Sequence, residues 1–163
     1  MPLEGTYEPS TRDISREQVE LYERSNGAEG NTRHGLPVVI VTSIGARSRA
    51  LRKTPLMRVE HQGRYALVAS LGGGPRHPVW YHNLRAHPHV ELQDGPAKVD
   101  YLAREVTGSE RDDWWNRAVA AFPMYADYQE QTDRIIPVFV LEPMCGVQGT
   151  ESSAPGLDED RLP

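Results

Sequence analysis

The chain has 163 residues, and its 18 lysines and arginines against 23 acidic residues give a formal net charge of −5. Hydrophobic residues make up 38% of the chain and charged residues 25%, which is typical of a soluble globular protein and excludes a largely disordered one. No apolar run approaches the roughly 20 residues that span a bilayer, and the acidic balance is unfavourable for general nucleic-acid binding.

The N-terminal part of the chain, residues 1–36, is predicted to be an arm with one short helix. Residues 1–12 are polar and lack the apolar core of a signal peptide, so we expect a loose arm. Residues 13–25 are predicted to form a helix that Asp13 caps. Residues 26–36 contain three glycines and are predicted to be a connecting loop.

The middle of the chain is predicted to be a series of strands. Residues 37–43 are apolar and rich in β-branched side chains, which is typical of a strand buried on both faces. A cationic loop, residues 45–57, follows this strand. Two further strands, residues 56–61 and 64–71, are predicted on either side of a Gln62-Gly63 turn.

The rest of the chain adds short helices and more strands. The predicted elements are a helix (77–86), two strands (90–93 and 97–106) around the Asp94-Gly95-Pro96 turn, a helix that a capping box at Ser109 opens and Pro123 ends, a helical piece (124–132) and a strand (135–141). Because the order consists mostly of strands, it favours a small, largely antiparallel barrel with helices outside over a doubly wound parallel sheet.

The C-terminal segment differs in composition from the domain that precedes it. Residues 145–163 are rich in Gly, Ser, Pro and acidic residues and are predicted to be a disordered tail. The predicted barrel domain is therefore residues 37–144. Cys145 is the only cysteine, which excludes an internal disulfide and fits a reducing cytosol.

The cationic loop is the first candidate binding site. It holds Arg47, Arg49, Arg52 and Lys53, two hydroxyl side chains and no acid. A charge-assisted hydrogen bond contributes on the order of 1.5–3 kcal/mol, so several such groups together could hold the phosphate of a cofactor. The alternative is a solvated loop whose charges are balanced by surface acids. The absence of acids within the loop favours a ligand.

A glycine-rich segment and a pair of aromatic residues form the second candidate. Residues 68–74 have small side chains that let a flat ligand approach the backbone, although the spacing fits neither a Walker loop nor a dinucleotide fingerprint. Trp80 and Tyr81 could flank a planar ring, and Asn83 could bond its edge. The alternatives are a flexible turn and ordinary core aromatics.

Histidines and hydroxyl groups offer further candidates. Four histidines lie between residues 77 and 89, but their i,i+5 spacings place successive rings on different helix faces, so no metal site is predicted. Tyr125 and Tyr128 lie three residues apart and could line a substrate pocket or pack on the barrel. Ser70 could donate a hydrogen bond, and nothing nearby activates it as a nucleophile.

Several motifs together resemble the family of deazaflavin-dependent nitroreductases and quinone reductases of actinobacteria. They are, in chain order, 37–45 (PVVIVTSIG), 52–57 (RKTPLM), 69–73 (ASLGG), 77–86 (HPVWYHNLRA), 122–128 (FPMYADY) and 133–137 (DRIIP). The succession of separate motifs in one order is more specific than any motif alone.

The resemblance implies a mainly β fold with flanking helices, a split β-barrel like that of FMN-binding proteins. It implies an oxidoreductase that transfers a hydride from reduced 8-hydroxy-5-deazaflavin coenzyme (F-420) to a quinone, a nitroaromatic compound or a similar small molecule. The coenzyme-binding residues that it implies are Arg47, Ser48, Arg52, Lys53, Thr54, Pro55, Leu56, Met57, Val68, Ala69, Ser70, Leu71, Val79, Trp80, Tyr81, His82, Asn83 and Tyr125. The residues that it implies for catalysis, as hydrogen-bond donors to the acceptor, are Ser70, Tyr125 and Tyr128.

The turn at Gly45 departs from the family. Family loops commonly read Gly-Arg-(Lys/Arg)-(Ser/Thr)-Gly, whereas this chain has Ala46 and Arg49 at the second and fifth positions. Since the fifth position loses a glycine, contacts of the coenzyme's tail with this turn depend on whether an arginine can adopt the same conformation.

Two other interpretations stay open at this point. The same barrel could bind FMN, or the protein could be a non-catalytic cofactor carrier or a basic-loop module for nucleic acid. We expect the enzyme, with no nucleic-acid partner and no metal. Its N-terminal segment is more polar than that of membrane-associated relatives, so we expect a cytoplasmic protein with at most peripheral contact at the inner face of the membrane. A homodimer is left open.

Overall fold

The computed structural model describes residues 3–144, and the predicted disordered tail lies outside these residues. In chain order the elements are α1 (Asp13–Arg24), β1 (Thr32–Arg33), β2 (Leu36–Ile44), β3 (Leu51–Met57), β4 (Glu60–His61), β5 (Arg64–Val68), a short 3-10 helix (Leu71–Gly73), α2 (Val79–Ala86), β6 (His89–Asp94), β7 (Ala97–Val106), α3 (Gly108–Ala121), α4 (Met124–Glu130) and β8 (Val138–Pro143).

The strands form one antiparallel sheet that closes on itself. Its order is β1-β2-β6-β7-β8-β5-β4, and β3 pairs with the other side of β2. The N–H of Arg58 donates to the carbonyl of Pro37 (3.0 Å), while the N–H of Ala66 donates to the carbonyl of Val59 (2.9 Å). Residues 51–61 therefore pair first with β2 and then with β5, which joins the two edges. The predicted mainly β barrel with flanking helices is confirmed.

Alternation along the strands produces an apolar cluster on each face of the sheet. In β2, Val38 and Ile40 belong to one cluster, and Val39 and Val41 belong to the other. This β-branched run suits a strand that is covered on both sides, and its middle six residues are buried. Helices α1, α3 and α4 cover one face, and α2 covers the other. The prediction of a doubly buried strand is confirmed.

Two tight turns shape the edges of the barrel. Gln62 and Gly63 both have positive φ (53° and 80°), as the favoured two-residue hairpin requires, so this predicted turn is confirmed. His34 and Gly35 also have positive φ values (54° and 75°) and connect β1 to β2, within the segment that we predicted to be a connecting loop. A histidine-glycine pair is a weak turn signal, and β1 is too short to show a period.

The N-terminal arm is not loose, contrary to the prediction. Residues 6–8 lie beside β3: the N–H of Leu51 donates to the carbonyl of Thr6, and the N–H of Glu8 donates to the carbonyl of Leu51, each over 2.9 Å. A short parallel bridge joins Tyr7 to Leu51. The arm therefore covers the edge of β3 at its first residue, Leu51, whose backbone groups would otherwise be unpaired.

Two predicted helix caps are wrong. Helix α1 begins at Asp13, whose carboxylate accepts a hydrogen bond from Arg16 (2.7 Å) rather than from the backbone. Helix α3 begins at Gly108, one residue before the predicted cap Ser109, and has no side-chain cap. Glu110, the acid of that first turn, forms an ion pair with Arg104 of β7 (2.8 Å) instead.

Candidate active-site cleft

A cleft of about 1040 Å³ runs between β3, the segment after β5, the start of α2 and helix α4. A smaller hollow of about 520 Å³ adjoins it at the turn between β2 and β3. The two share Arg52, Val79, His82 and Asn83 as lining residues, so together they form one groove. The groove reaches from Arg47 at one end to the tyrosines of α4 at the other.

Most side chains that the sequence singles out border this groove. Those that line the large cleft are Arg52, Lys53, Thr54, Pro55, Leu56, Met57, Val68, Ser70, Leu71, Val79, Trp80, His82, Asn83, Tyr125 and Tyr128. Arg47 and Ser48 line the hollow. Ala69 is fully buried in the barrel and lines neither space. Tyr81 also lies outside the lining, with its hydroxyl accepting a bond from Arg85 (2.8 Å).

Strand β3 supplies one wall of the cleft. It pairs with β2 from Leu51 to Met57, so the predicted loop 45–57 is in fact a short turn followed by a strand. Arg52 and Lys53 consequently project from a rigid element, which fixes where their charges lie. This part of the prediction was wrong because a strand with polar residues and a proline carries little strand propensity.

Acids from outside the segment partly balance these cations. The ammonium of Lys53 is paired with Glu23 of α1 and lies 4.8 Å from the centre of the Tyr7 ring. Arg52 lies 3.4 Å from Glu8 of the arm. Arg47 is exposed and has no ion pair within residues 3–144. The absence of acids within the cationic segment therefore does not mean that all of its charges are free.

The turn between β2 and β3 keeps its shape without the family's fifth-position glycine. The N–H of Gly45 donates to the carbonyl of Ala50 (2.8 Å), and the N–H of Arg49 donates back to the carbonyl of Gly45 (3.0 Å). Arg49 itself adopts φ of 60°, the left-handed conformation that favours glycine. A side chain at Gly45 would come within 2.5 Å of the Ser48 hydroxyl, so a larger residue there would force Ser48 into another rotamer.

Helix α2 is tied to this turn by Asn83. Its side-chain oxygen accepts a hydrogen bond from the N–H of Ala46 (2.9 Å), and the residue is only 3% exposed. The side-chain amide nitrogen donates no hydrogen bond within residues 3–144 and can therefore bond a ligand in the groove. Pro78 precedes α2 and sets the direction in which the helix starts.

The segment after β5 forms the floor of the cleft. Leu71, Gly72 and Gly73 have consecutive positive φ values (45°, 64° and 82°), which turn the chain sharply out of the barrel. A side chain at Gly73 would come within 2.9 Å of the Tyr128 carbonyl, so only glycine permits this contact with α4. Ser70, 7% exposed, is thereby held at the base of the cleft.

Arg134 fixes this floor segment and was not among the predicted site residues. Its guanidinium donates to the carbonyl of Ser70 (2.8 Å) and to the carbonyl of Gly74 (3.0 Å), and lies 3.0 Å from Nδ1 of His77. Burial and the charge of Arg134 lower the pKa of His77 below its ordinary value. In the sequence, the only signal for Arg134 is the motif at 133–137, which does not indicate that its side chain contacts the segment after β5.

Aromatic side chains form the far end of the cleft. The ring of Phe122 meets those of Tyr125 (5.0 Å between centres) and Tyr128 (6.1 Å) edge to face. Tyr125 is 4% exposed, and its hydroxyl has no hydrogen-bond partner within the described residues. Burial raises the pKa of Tyr125 well above its ordinary value, so this hydroxyl is a donor at neutral pH.

Several lining residues lie outside the set that the sequence singled out. The N-terminal arm, the start of α1, the β1–β2 hairpin and the segment before α2 contribute Ser10, Thr11, Arg12, Ser15, Arg33, His34, Arg76, His77 and Pro78. Among the described residues, five arginines and lysines line the large cleft and no carboxylate does. In a chain of net charge −5, this marks a site for an anion.

Residues 3–144 contain neither a metal-binding cluster nor a helix that could span a membrane. No group of three or more His, Cys, Asp or Glu side chains there could hold a metal ion; His77 and His82, whose rings are 6.1 Å apart, have no third partner. None of the helices in that range is long and apolar enough to cross a membrane.

Comparison with known proteins assigns a family. Residues 14–143 match the family described as F420H(2)-dependent quinone reductase. An F420H(2)-dependent quinone reductase of Mycobacterium tuberculosis is 36% identical over 125 residues, which cover 74% of this chain and 84% of the relative.

Solved structures agree with this assignment. An F420-H2 dependent reductase, FDR-A, shares 54% identity over 65% of this chain and 94% of its own, with a TM-score of 0.63. A structure described as a domain-swapped dimer shares 48% identity over 77% of this chain and 92% of its own, with a TM-score of 0.66. The predicted split-barrel fold and the predicted family are confirmed.

Proposed function

Because the chain belongs to the F420H(2)-dependent quinone reductase family, we propose that it transfers a hydride from the reduced coenzyme to a quinone, with nitroaromatic compounds as further acceptors. As a member of that family it is an oxidoreductase, and its cofactor is the deazaflavin coenzyme F-420. The observation that supports the proposal for this chain is the groove that joins Arg47, in the turn between β2 and β3, to Ser70 and Trp80.

The residues of the groove fit a flat ring with an anionic tail. At the hollow, Arg47, Ser48 and Arg52 offer two guanidinium groups and a hydroxyl, which suit phosphate and carboxylate groups. Next to them the cleft is lined by Pro55, Leu56 and Trp80, whose apolar surfaces suit a planar ring. We therefore assign the tail to the hollow and the ring to the space between β3 and α2.

Bound coenzyme supplies the hydride, so the protein's part is to position the acceptor and to stabilise the charge that the acceptor gains. Tyr125 and Tyr128 lie on one side of α4 at the far end of the cleft, and Ser70 lies on its floor. We propose that their hydroxyl groups donate hydrogen bonds to the acceptor's oxygen. Phe122, 4% exposed, packs edge to face against both tyrosine rings and adds an apolar surface to this end.

The alternatives differ in what supports them. The comparisons give FMN no support, and the family consists of enzymes rather than carriers. A nucleic-acid module would need a broad basic face, whereas the cations here converge on a groove.

We also propose a cytoplasmic protein, with at most peripheral membrane contact. A homodimer is proposed because the similar structure above is a dimer.

A binding and turnover experiment tests the proposal. The purified protein is titrated with oxidised and with reduced coenzyme, and oxidation of the reduced form is then followed with menadione, menaquinone and a nitroaromatic compound. We expect saturable binding and quinone-dependent oxidation. Binding without oxidation by any acceptor would leave only a carrier, and protein that purifies with yellow FMN would overturn the assignment of the coenzyme.

A further inference from the structure

The tip of the β1–β2 hairpin borders the end of the cleft that Tyr125 and Tyr128 line, which we call the acceptor end. Arg33 pairs with Leu36 across a two-residue turn, so its backbone position is fixed. The ring of His34, within that turn, stacks on Phe122 with 5.7 Å between centres and an angle of 16°. This contact holds the hairpin beside the aromatic cluster. Arg33 lies close enough that its charge counteracts the rise in the pKa of Tyr125.

Arg33 carries a charge that no acid balances. Its guanidinium donates to the neutral side-chain oxygen of Gln18 (3.3 Å), and it has no ion pair within residues 3–144. Two other half-buried cations are paired with acids: Arg58 lies 2.9 Å from Asp94, and Lys53 contacts Glu23. Arg134, which also lacks an ion pair within these residues, donates to two backbone carbonyls instead. A partly buried cation without a partner is costly unless an anion binds there.

The coenzyme's own anionic groups are assigned elsewhere. They belong to the hollow at Arg47 and Ser48, and Arg33 does not line that hollow. Arg33 lines the large cleft together with Tyr125, at the end opposite the turn between β2 and β3. Its charge is therefore available to the second substrate.

We propose that Arg33 selects acceptors that carry a negative charge, such as a quinone with a sulfonate or carboxylate group beside the reducible ring. This inference rests on the proposed quinone reduction and names a preference within it. The guanidinium would receive the anionic group while the hydroxyl of Tyr125 faces the ring's oxygen. A neutral quinone would leave the guanidinium without an anionic partner.

A matched pair of acceptors tests the preference. Naphthoquinone and naphthoquinone sulfonate are compared by kcat/KM at saturating reduced coenzyme, in the unchanged protein and in Arg33→Gln and Arg33→Lys. We expect the sulfonate-to-neutral ratio to fall about tenfold in Arg33→Gln and to stay within about twofold in Arg33→Lys, as loss and retention of one charge pair predict. Comparing ratios cancels any change in coenzyme affinity and the intrinsic reactivity of each quinone.

A control variant and a salt titration show whether a change in the ratio comes from the charge of Arg33. Arg24→Gln removes an arginine at the end of α1 that does not line the cleft, so its ratio is expected to equal that of the unchanged protein. In the unchanged protein, added salt should lower kcat/KM for the sulfonate but not for naphthoquinone, which gives a test even if Arg33→Gln fails to fold. An unaltered ratio in folded Arg33→Gln, or equal salt dependence for both quinones, overturns the inference. If the unchanged protein reduces neither quinone, that result contradicts the proposed function itself.

Discussion

The two ends of the cleft differ in how their polar groups are exposed to solvent. At the turn end, Arg47 and Arg49 are exposed and Arg52 meets Glu8 at the surface. At the acceptor end, Tyr125 is almost completely buried among aromatic rings. Charges in water are screened and contribute modestly, whereas a dipole in an apolar site acts at full strength. We infer that the turn end governs coenzyme affinity and that the acceptor end governs rate.

The largest effect is expected at the floor segment that joins the two ends. Arg134→Met removes the hydrogen bonds to the Ser70 and Gly74 carbonyls and the contact with His77. Unpaired, partly buried carbonyls cost roughly 2–3 kcal/mol in total, or about 5–10 °C in melting temperature. Because the floor borders both ends, coenzyme Kd and kcat should both worsen. Thermal melts and kinetics measure this.

Arg117→Met provides the matched control for Arg134. Arg117 lies 4.7 Å from the ring of Trp114 on helix α3 and does not line the cleft. Its loss should cost less than about 1 kcal/mol and leave catalysis unchanged. If Arg134→Met alters stability without altering Kd or kcat, the floor segment does not position ligands, and the two ends are independent.

The second effect isolates the acceptor end. Tyr125→Phe keeps the ring contacts and removes the hydroxyl, so kcat for quinone should fall about tenfold to thirtyfold while coenzyme Kd stays within about twofold. Because burial raises the pKa of Tyr125, the phenol remains protonated as pH rises towards the ordinary value of tyrosine. Activity should therefore not decline through loss of this proton between neutral pH and that value. Unchanged kcat in Tyr125→Phe would remove it from the donors.

The third effect isolates the turn end. Arg52→Gln should raise coenzyme Kd about fivefold to tenfold and reduce its dependence on salt, with kcat nearly unchanged. Glu8→Gln should act oppositely, because Glu8 lies 3.4 Å from Arg52 and competes with the ligand for it. Fluorescence titrations at several salt concentrations measure both. If both substitutions weaken binding, the ion pair orders Arg52 rather than competing for it.

Local patterns predicted the barrel better than they predicted its edges. The doubly buried β2 and the Gln62-Gly63 turn have strong signals within a few residues. The pairing of the arm with β3 has none, since residues 6–8 are polar and gain a partner only through the fold. The β1–β2 hairpin was missed for a similar reason, because its strand has two residues.

Sequence motifs predicted the candidate site where they gave both the type of side chain and its place along the chain. The residues from Arg52 to Met57 line the cleft, although the sequence suggested a loop rather than a strand. What the sequence could not supply was the partner of each charge. Glu23 lies 30 positions from Lys53, and Arg134 lies 64 positions from Ser70. Long-range contacts of this kind depend on the closed barrel.

The smallest effect returns to Arg49, where fold and function make opposite demands. Its φ of 60° disfavours any residue with a Cβ, so Arg49→Gly should relieve strain. Glycine also gains entropy in the unfolded chain, which leaves a net stabilisation of at most about 1 kcal/mol, or 1–3 °C in melting temperature. Arg49→Ala keeps the strain and removes only the charge. If Arg49 binds the coenzyme's tail, both variants should weaken binding equally at low salt while only the glycine variant melts higher. If Kd changes in neither, the arginine is a tolerated departure, and coenzyme affinity at the turn end comes from Arg47 and Arg52.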